Sequence, residues 1–578
     1  MSGKDEERRN HQHAQALISA LVGAGVRDAV VSPGSRNTPI VLALHALAAA
    51  GHPITMHSIL DERSAAFFAL GLSRITGVPT LLSCTSGSAG AHYLPAIIEA
   101  AHSNVPLIAI TADRPPELQE RGAPQTVTQV GMYGPHVRWS FDLSTPAERA
   151  GVQWLRGIAA QAVDAAMGTR PGPVHLNAPF RKPLWLAANT TEPPGPQAHP
   201  HRILRGPATL HDTDLQTLAT RLGNAKRGCI VWGPQPDERT AAAAVAHLAA
   251  HLGWPILTDP VSPLRWSQST AATVITTHDA FLRDPDTAHQ LQADLVLRLG
   301  GTPSSKPLSQ WLASATDVVS LDATGAWRDP EHRVSTVIAA DPTWVCQALP
   351  SVVPSPSSDS GWARLWAEHE SHAAAALAQT CADGWWSGAI IQDLIAQLPA
   401  GTLLHVGSSM PIRDLDAFGR GASDIRVTAN RGANGIDGTI ATTLGTAAAW
   451  SAGPVVGLMG DLTFLHDQGS LMLARGGSQT RVLVVLDNAG GGIFDHLPIA
   501  KHADAYEAWF RTPQQADIPA LCAAASIPCV TAQDRVTLSE GIADALQRAG
   551  TTVVHATFDS ATDLALHQAA WQATRSAT

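Results

Sequence analysis

The chain alternates short runs of aliphatic and β-branched residues with longer stretches rich in Ala and Leu. Near the start, Asp28–Val31 predicts a strand that runs through SPGSRN into a helix over Thr38–Ala50. Thr80–Cys84 predicts a second strand, followed by TSGSAG and a helix ending near Ala101, and Pro106–Ala112 predicts a third strand. The pattern returns late in the chain, with strands over Val455–Met459 and Arg481–Leu486 and a helix holding Gly469–Arg475 between them. Continuous apolar strands alternating with helices predict an α/β fold of doubly wound parallel sheets, covered on both faces. Such sheets bind ligands outside the carboxyl ends of their strands, so the loops at those ends are where chemistry is expected.

Two segments interrupt the alternation. Asn189–His201 carries four prolines and no apolar period, and Val353–Gly361 mixes Pro with Ser and Asp. Neither composition favours helix or packed strand. They divide the chain into three blocks of domain size, 1–188, 202–352 and 362–578. No short-period repeat of the solenoid kind is present.

Composition narrows the function classes. Of 578 residues, 45% are hydrophobic and 15% charged, enough apolar material for several cores and too much for a disordered chain. The net charge of −10 argues against a dedicated nucleic-acid binder, which needs a basic face. It also makes arginines gathered in ligand-side loops more informative. The six cysteines are scattered without a Cys-x-x-Cys pair, which predicts reduced thiols rather than a zinc frame or a disulfide scaffold. A charged N-terminus without an apolar core, and no apolar stretch long enough to span a bilayer, predict a cytoplasmic protein.

The third block holds the sharpest chemical signal. Gly460-Asp461 directly follows one predicted strand and Asn488 directly follows the next, 27 positions later. A parallel crossover takes a dozen or more residues with its helix, so this spacing allows two neighbouring strand ends. A carboxylate and an amide carbonyl there offer the hard oxygens that magnesium prefers. Gly490-Gly491-Gly492 permits a tight turn, through which a backbone carbonyl joins the set. The alternative is structural: Asp461 capping a helix, and Asn488 opening an ordinary turn.

Further words along the chain match one family. SPGSRNTP (32–39), DERSAAFFALG (61–71), TSGSAGAHYLPAIIEA (85–100), TADRPPEL (111–118), NRGANGIDG (430–438), GDLTFLHD (460–467) and GGGIF (490–494) occur in order. Together with the Gly-Asp to Asn spacing they resemble the 2-succinyl-5-enolpyruvyl-6-hydroxy-3-cyclohexene-1-carboxylate synthase family of the menaquinone pathway, whose members use thiamin diphosphate. The resemblance runs from about residue 12 to beyond 500 and is weakest in the middle block.

The resemblance implies three domains of the thiamin-diphosphate-enzyme type: pyrimidine-binding, central and diphosphate-binding. It implies thiamin diphosphate with Mg2+ or Mn2+ as cofactors. It further implies a homodimer or homotetramer with active sites between subunits. Asp461, Asn488 and Gly490 match the metal and diphosphate positions, Ile436 the apolar residue that holds the cofactor bent, and Glu62 the catalytic glutamate facing its aminopyrimidine. A carboxyl group in an apolar site, next to Phe67 and Phe68 in sequence, is expected to stay protonated near neutral pH and serve that role.

The implied reaction is a decarboxylative conjugate addition of 2-oxoglutarate to isochorismate. Both substrates carry two carboxylates, which suits bidentate arginine. Ser35, Arg36, Arg114, Gln125, Lys306, Ser409, Arg413 and Arg431 match the family's substrate-contacting positions. The chain departs from many relatives at Asp487 and Ala489, which flank Asn488, at His92, and at Pro307 beside Lys306. None of the 25 histidines stands at a catalytic position, so they are expected on the surface or satisfied in the core. Rival readings are an acetolactate-synthase-like carboligase or 2-oxoacid decarboxylase, and a non-catalytic ligand-sensing protein on the same fold. A nicotinamide dehydrogenase is disfavoured because no Gly-x-Gly-x-x-Gly follows the first strand.

Overall fold

The computed structural model describes residues 3–146, 152–185, 203–234, 239–267, 272–354, 361–421 and 424–575. Most of both proposed linkers lies outside the described residues. The chain forms two compact units. One comprises Met1–Arg205, Asn430–Trp450 and Asp467–Leu473; the other comprises Gly206–Ala429, Ser451–His466 and Ala474–Thr578.

The first unit is built on a six-stranded, all-parallel sheet. Its spatial order is Thr55–Ser58, Asp28–Val31, Thr80–Cys84, Leu107–Asp113, Pro173–Pro179 and Trp139–Asp142. Every residue of Thr80–Cys84 and Leu107–Asp113 is buried, as expected of central strands covered on both faces. The helix Glu62–Thr76 starts where the Asp61 carboxylate accepts the amides of Arg63 at 2.8 Å and Ser64 at 3.4 Å. It ends at Gly77, which adopts φ +71°. Against it packs Thr439–Ala449, contributed from far along the chain. Asp467 fixes this second helix by accepting the Ala441 amide at 2.9 Å.

The second unit carries two more six-stranded parallel sheets. The middle sheet runs Val334–Ile338, Val318–Leu321, Leu295–Leu299, Gly228–Trp232, Ile256–Thr258, Val274–Ile275. The third runs Arg426–Ala429, Leu403–Val406, Val455–Gly460, Thr480–Asp487, Gly550–Thr557, Cys529–Ala532. The strands around the Asp461 motif therefore sit as the spacing predicted, with Gly460 in register with Leu486. The predicted helix between them is instead a 3-10 segment, Gln468–Ala474. Ser470 there gives its hydroxyl to Asp467 at 2.7 Å, and its own oxygen meets Ser64 at 2.8 Å. A buried ion pair, Arg265 to Asp416 at 3.1 Å, ties the loop after Ile256–Thr258 to the helix Met410–Phe418.

None of the six cysteines, all among the described residues, forms a disulfide, and Cys529 alone among them is not fully buried. Among the described residues no helix is long and apolar enough to cross a membrane.

Candidate active site

In the second unit Asp461, Asn488 and Gly490 come together at adjacent strand ends. Asp461 opens the short helix Asp461–His466 and is only 6% exposed. Its carboxylate accepts the amides of Leu462 and Gly490 and shares a hydrogen bond with Asp487. Burial, and next the neighbouring Asp487, push the Asp461 carboxyl up to about 7. Burial alone would raise Asp487 as well. Hydrogen bonds from His555 at 2.7 Å and from the Ala489 amide at 2.9 Å hold it below its ordinary value.

Two carboxylates crowded at one sheet edge, with an amide side chain beside them, suit a divalent cation bound through hard oxygens. The backbone is shaped to match. Gly490 adopts φ +138°, and a Cβ there would lie 2.4 Å from the Arg511 carbonyl oxygen, so only glycine fits. Arg511 braces the same turn by donating to the Asn488 carbonyl and pairing with Asp495. The residues present therefore fit a divalent-cation site.

The first unit presents the opposite charge. Arg36 follows the strand Asp28–Val31, and Arg114 follows Leu107–Asp113. The Arg36 amide donates to Thr85 Oγ1 at 3.2 Å, so the loops after two adjacent strands are joined. Sequence placed Arg36 at a helix N-terminus facing an anion. Its guanidinium runs inward, 4% exposed, donating to the Phe180 carbonyl at 2.6 Å. Burial, and next the nearby Arg114, lower Arg36 to about 10, against the pull of Asp113. Arg114 is half-buried and donates to Ser86 Oγ. Ser35 is exposed, and its carbonyl accepts the Thr38 hydroxyl at 2.8 Å. Gln125, also exposed, adopts φ +55° next to Gly87.

Glu62 is the half-buried first residue of Glu62–Thr76. Ile436 and Arg431, both half-buried, lie on the 430–438 loop of the same unit. Three candidates belong to the second unit instead. Lys306 is exposed in the first turn of Lys306–Ser314, where Pro307 occupies a position that suits proline. Ser409 adopts φ +74° ahead of Met410–Phe418, and Arg413 on that helix is exposed and donates to the Ser409 carbonyl at 2.6 Å.

Several residues near these strand ends carried little sequence signal. Gln129 is buried, accepts the Gly87 amide at 3.0 Å and donates to Asn177 Oδ1 at 3.0 Å, fixing the turn that Gln125 abuts. His555, expected to be a satisfied core residue, is satisfied at Nε2 by Asp487 beside the proposed ligands, while its buried Nδ1 has no hydrogen-bond partner. His92, one of the departures, is exposed. An isolated polar residue in an apolar run was the one available hint of His555 and Gln129.

Three family models match the chain. Residues 11–132 match the thiamine pyrophosphate enzyme N-terminal TPP binding domain, 209–406 the middle domain of thiamine pyrophosphate, and 425–556 the C-terminal TPP binding domain. A curated relative from Geobacillus kaustophilus, named 2-succinyl-5-enolpyruvyl-6-hydroxy-3-cyclohexene-1-carboxylate synthase, is 42% identical over 87% of each chain. Relatives of the same name from a Roseiflexus species and Listeria innocua are 39% and 36% identical, over 96% of this chain and 97% and 96% of theirs. A solved structure from Mycobacterium smegmatis, described as a candidate thiamin diphosphate-dependent enzyme, shares the fold. Its TM-score is 0.70 at 20% identity, covering 94% of this chain and 99% of that one.

Proposed function

Because the chain belongs to the 2-succinyl-5-enolpyruvyl-6-hydroxy-3-cyclohexene-1-carboxylate synthase family of thiamin-diphosphate enzymes, we propose that it joins 2-oxoglutarate to isochorismate with loss of carbon dioxide. The observation that carries this reading is the set Asp461, Asn488 and Gly490 at adjacent strand ends, suited to a divalent cation. In this reading blocks 1–188, 202–352 and 362–578 serve as pyrimidine-binding, central and diphosphate-binding domains. Homo-oligomers with shared active sites work in the cytoplasm.

Thiamin diphosphate, when bound, supplies the electron sink that lets a 2-oxo acid lose carbon dioxide. The chain's own residues do the rest. Asp461 and Asn488 side-chain oxygens and the Gly490 carbonyl would hold Mg2+ or Mn2+, whose charge would offset that of the diphosphate. Glu62 would supply the carboxyl that exchanges a proton with the cofactor's aminopyrimidine, and Ile436 would give the cofactor an apolar support. Arg36, Arg114, Lys306, Arg413 and Arg431 offer cations to the four carboxylates of the two substrates, with Ser35, Gln125 and Ser409 as polar partners. Orientation of both substrates in a water-poor pocket favours carbon–carbon bond formation over simple protonation.

The test is a turnover assay with thiamin diphosphate and Mg2+. Isochorismate is expected to disappear only when 2-oxoglutarate is supplied. Equal turnover with pyruvate, or carbon dioxide release without isochorismate consumption, would overturn the assignment.

A further inference from the structure

The 430–438 loop, which carries Arg431 and Ile436, is held by a residue to which the reaction assigns no role. Glu99 lies on the helix Leu94–Ser103, in the first unit with the loop, and is 3% exposed. One carboxylate oxygen accepts the Gly432 amide at 2.9 Å and the other accepts the Ala433 amide at 2.7 Å. The first oxygen also accepts the Ser103 hydroxyl and lies 3.4 Å from Arg74 Nη2. Four donors converge on a group with about four acceptor sites, so the carboxylate is saturated.

Arg74 extends the clamp. It sits near the end of Glu62–Thr76 and donates to Asn430 Oδ1 at 3.2 Å, while Asn430 donates to Thr442 at 3.1 Å. Burial lowers the Arg74 pKa, and Glu99 opposes that shift. Such a buried pair is costly to break from one side, because the remaining charge has no partner. Backbone shape requires the same closeness. A Cβ at Gly432 would meet the Glu99 carbonyl oxygen at 2.6 Å and the Ser103 amide at 2.7 Å. The loop also has somewhere to go once released: a cavity of about 250 Å3 lined by Phe67, Leu94, Pro95, Ile98, Ala433 and Asp437 lies beside it.

We infer that Glu99, supported by Arg74 and Ser103, is a positioning residue that sets the 430–438 loop, and through it the reach of Arg431 and the seat of Ile436. This rests on the proposed function for what Arg431 and Ile436 contact. It does not rest on it for the clamp itself.

The experiment compares wild type with Glu99→Gln, which keeps the size, removes the charge and replaces one acceptor with a donor. Hydrogen exchange in the peptide holding 430–438 is expected to speed up about tenfold, the loss of roughly one hydrogen bond. Peptides from the strands Thr80–Cys84 and Leu107–Asp113 keep their protection. In turnover assays the KM for the dicarboxylate substrates rises about tenfold while kcat stays within about threefold, since a misplaced loop weakens binding and orientation. Unchanged loop exchange, or faster exchange spread evenly over the unit, overturns the clamp. If wild type shows no turnover of 2-oxoglutarate and isochorismate but the loop still loosens in Glu99→Gln, the clamp stands and the functional reading falls. Should Glu99→Gln not fold, Ser103→Ala removes a single donor and is expected to loosen the same peptide about threefold. No local change there overturns the proposal.

Discussion

The first and third sheets share one strand order and carry opposite charge. In each, the first strand lies between the second and third, and the sheet continues through the fourth to the sixth and then the fifth. The middle sheet is ordered differently, with its first three strands on one side and its last three on the other. At the strand ends of the first sheet stand Arg36 and Arg114; at those of the third stand Asp461 and Asp487. Topology therefore fixes where a ligand sits, while a few residues in the following loops decide which ion is welcome. Under the proposed function, proton work falls to the first region through Glu62, and ion holding to the third through Asp461.

The strongest way to break that division is to remove each carboxylate in turn. Glu62→Gln is expected to lower turnover by roughly 10²- to 10⁴-fold while cofactor and metal affinity, measured by calorimetry, stay near wild type. Asp461→Ala is expected to weaken metal-dependent cofactor retention by at least about 10- to 100-fold in the same calorimetry, the loss that follows even when only a group supporting a metal ligand is removed. Wild-type affinity in Asp461→Ala would end the metal assignment. If both variants lost affinity alike, the two regions would not divide the labour.

Buried histidines sharpen the contrast through pH. In the first sheet His175 is kept neutral by burial, its pKa down at about 4, beside Thr111 Oγ1 at 2.8 Å and the Tyr133 ring at 4.7 Å. In the third region burial alone would lower His567. Asp414 at 3.1 Å, and Asp563 after it, instead raise it to about 9, with the His496 ring 5.1 Å away. A raised histidine adds stability that is complete below its unfolded value near 6.5 and lost as pH climbs through 9; the shift is worth on the order of 3 kcal/mol. A lowered histidine does the reverse, so its contribution is present above about 6.5 and lost as pH falls toward 4. Denaturation midpoints are expected to fall on both sides of neutrality. His567→Gln should flatten only the alkaline fall, and an alkaline slope identical to wild type would remove the charge from His567.

The smallest expected effect concerns Ala489, whose φ of +62° is uncomfortable for a residue with a Cβ. Asn tolerates that conformation better, so Ala489→Asn is expected to raise the unfolding free energy by about 0.5 kcal/mol in chemical denaturation, with turnover unchanged.

The strand ends were legible because their signals are local: an apolar run followed directly by Gly-Asp or by SPGSR names both an element and its loop. What stayed hidden was contact across sequence. Glu99 reaches Gly432 over 333 positions, His555 reaches Asp487 over 68, and nothing in the residues between announces either meeting. Arg36 was found in the expected loop, but its inward turn toward Phe180 depends on a strand end 144 positions away. The same holds for the 3-10 segment at Gln468–Ala474, where Ser470 meets Ser64 over 406 positions.

The helix Thr439–Ala449 bears on how this protein is made. It covers Phe67, Phe68 and Gly71 of a helix emitted some 370 positions earlier, approaching so closely that a Cβ at Gly445 would touch the Phe68 carbonyl oxygen at 2.0 Å. A ribosome releases the N-terminal sheet long before that cover exists. For most of synthesis the nascent chain carries an apolar helix face that has no native partner, and this is the interval in which it is open to chaperones or to aggregation.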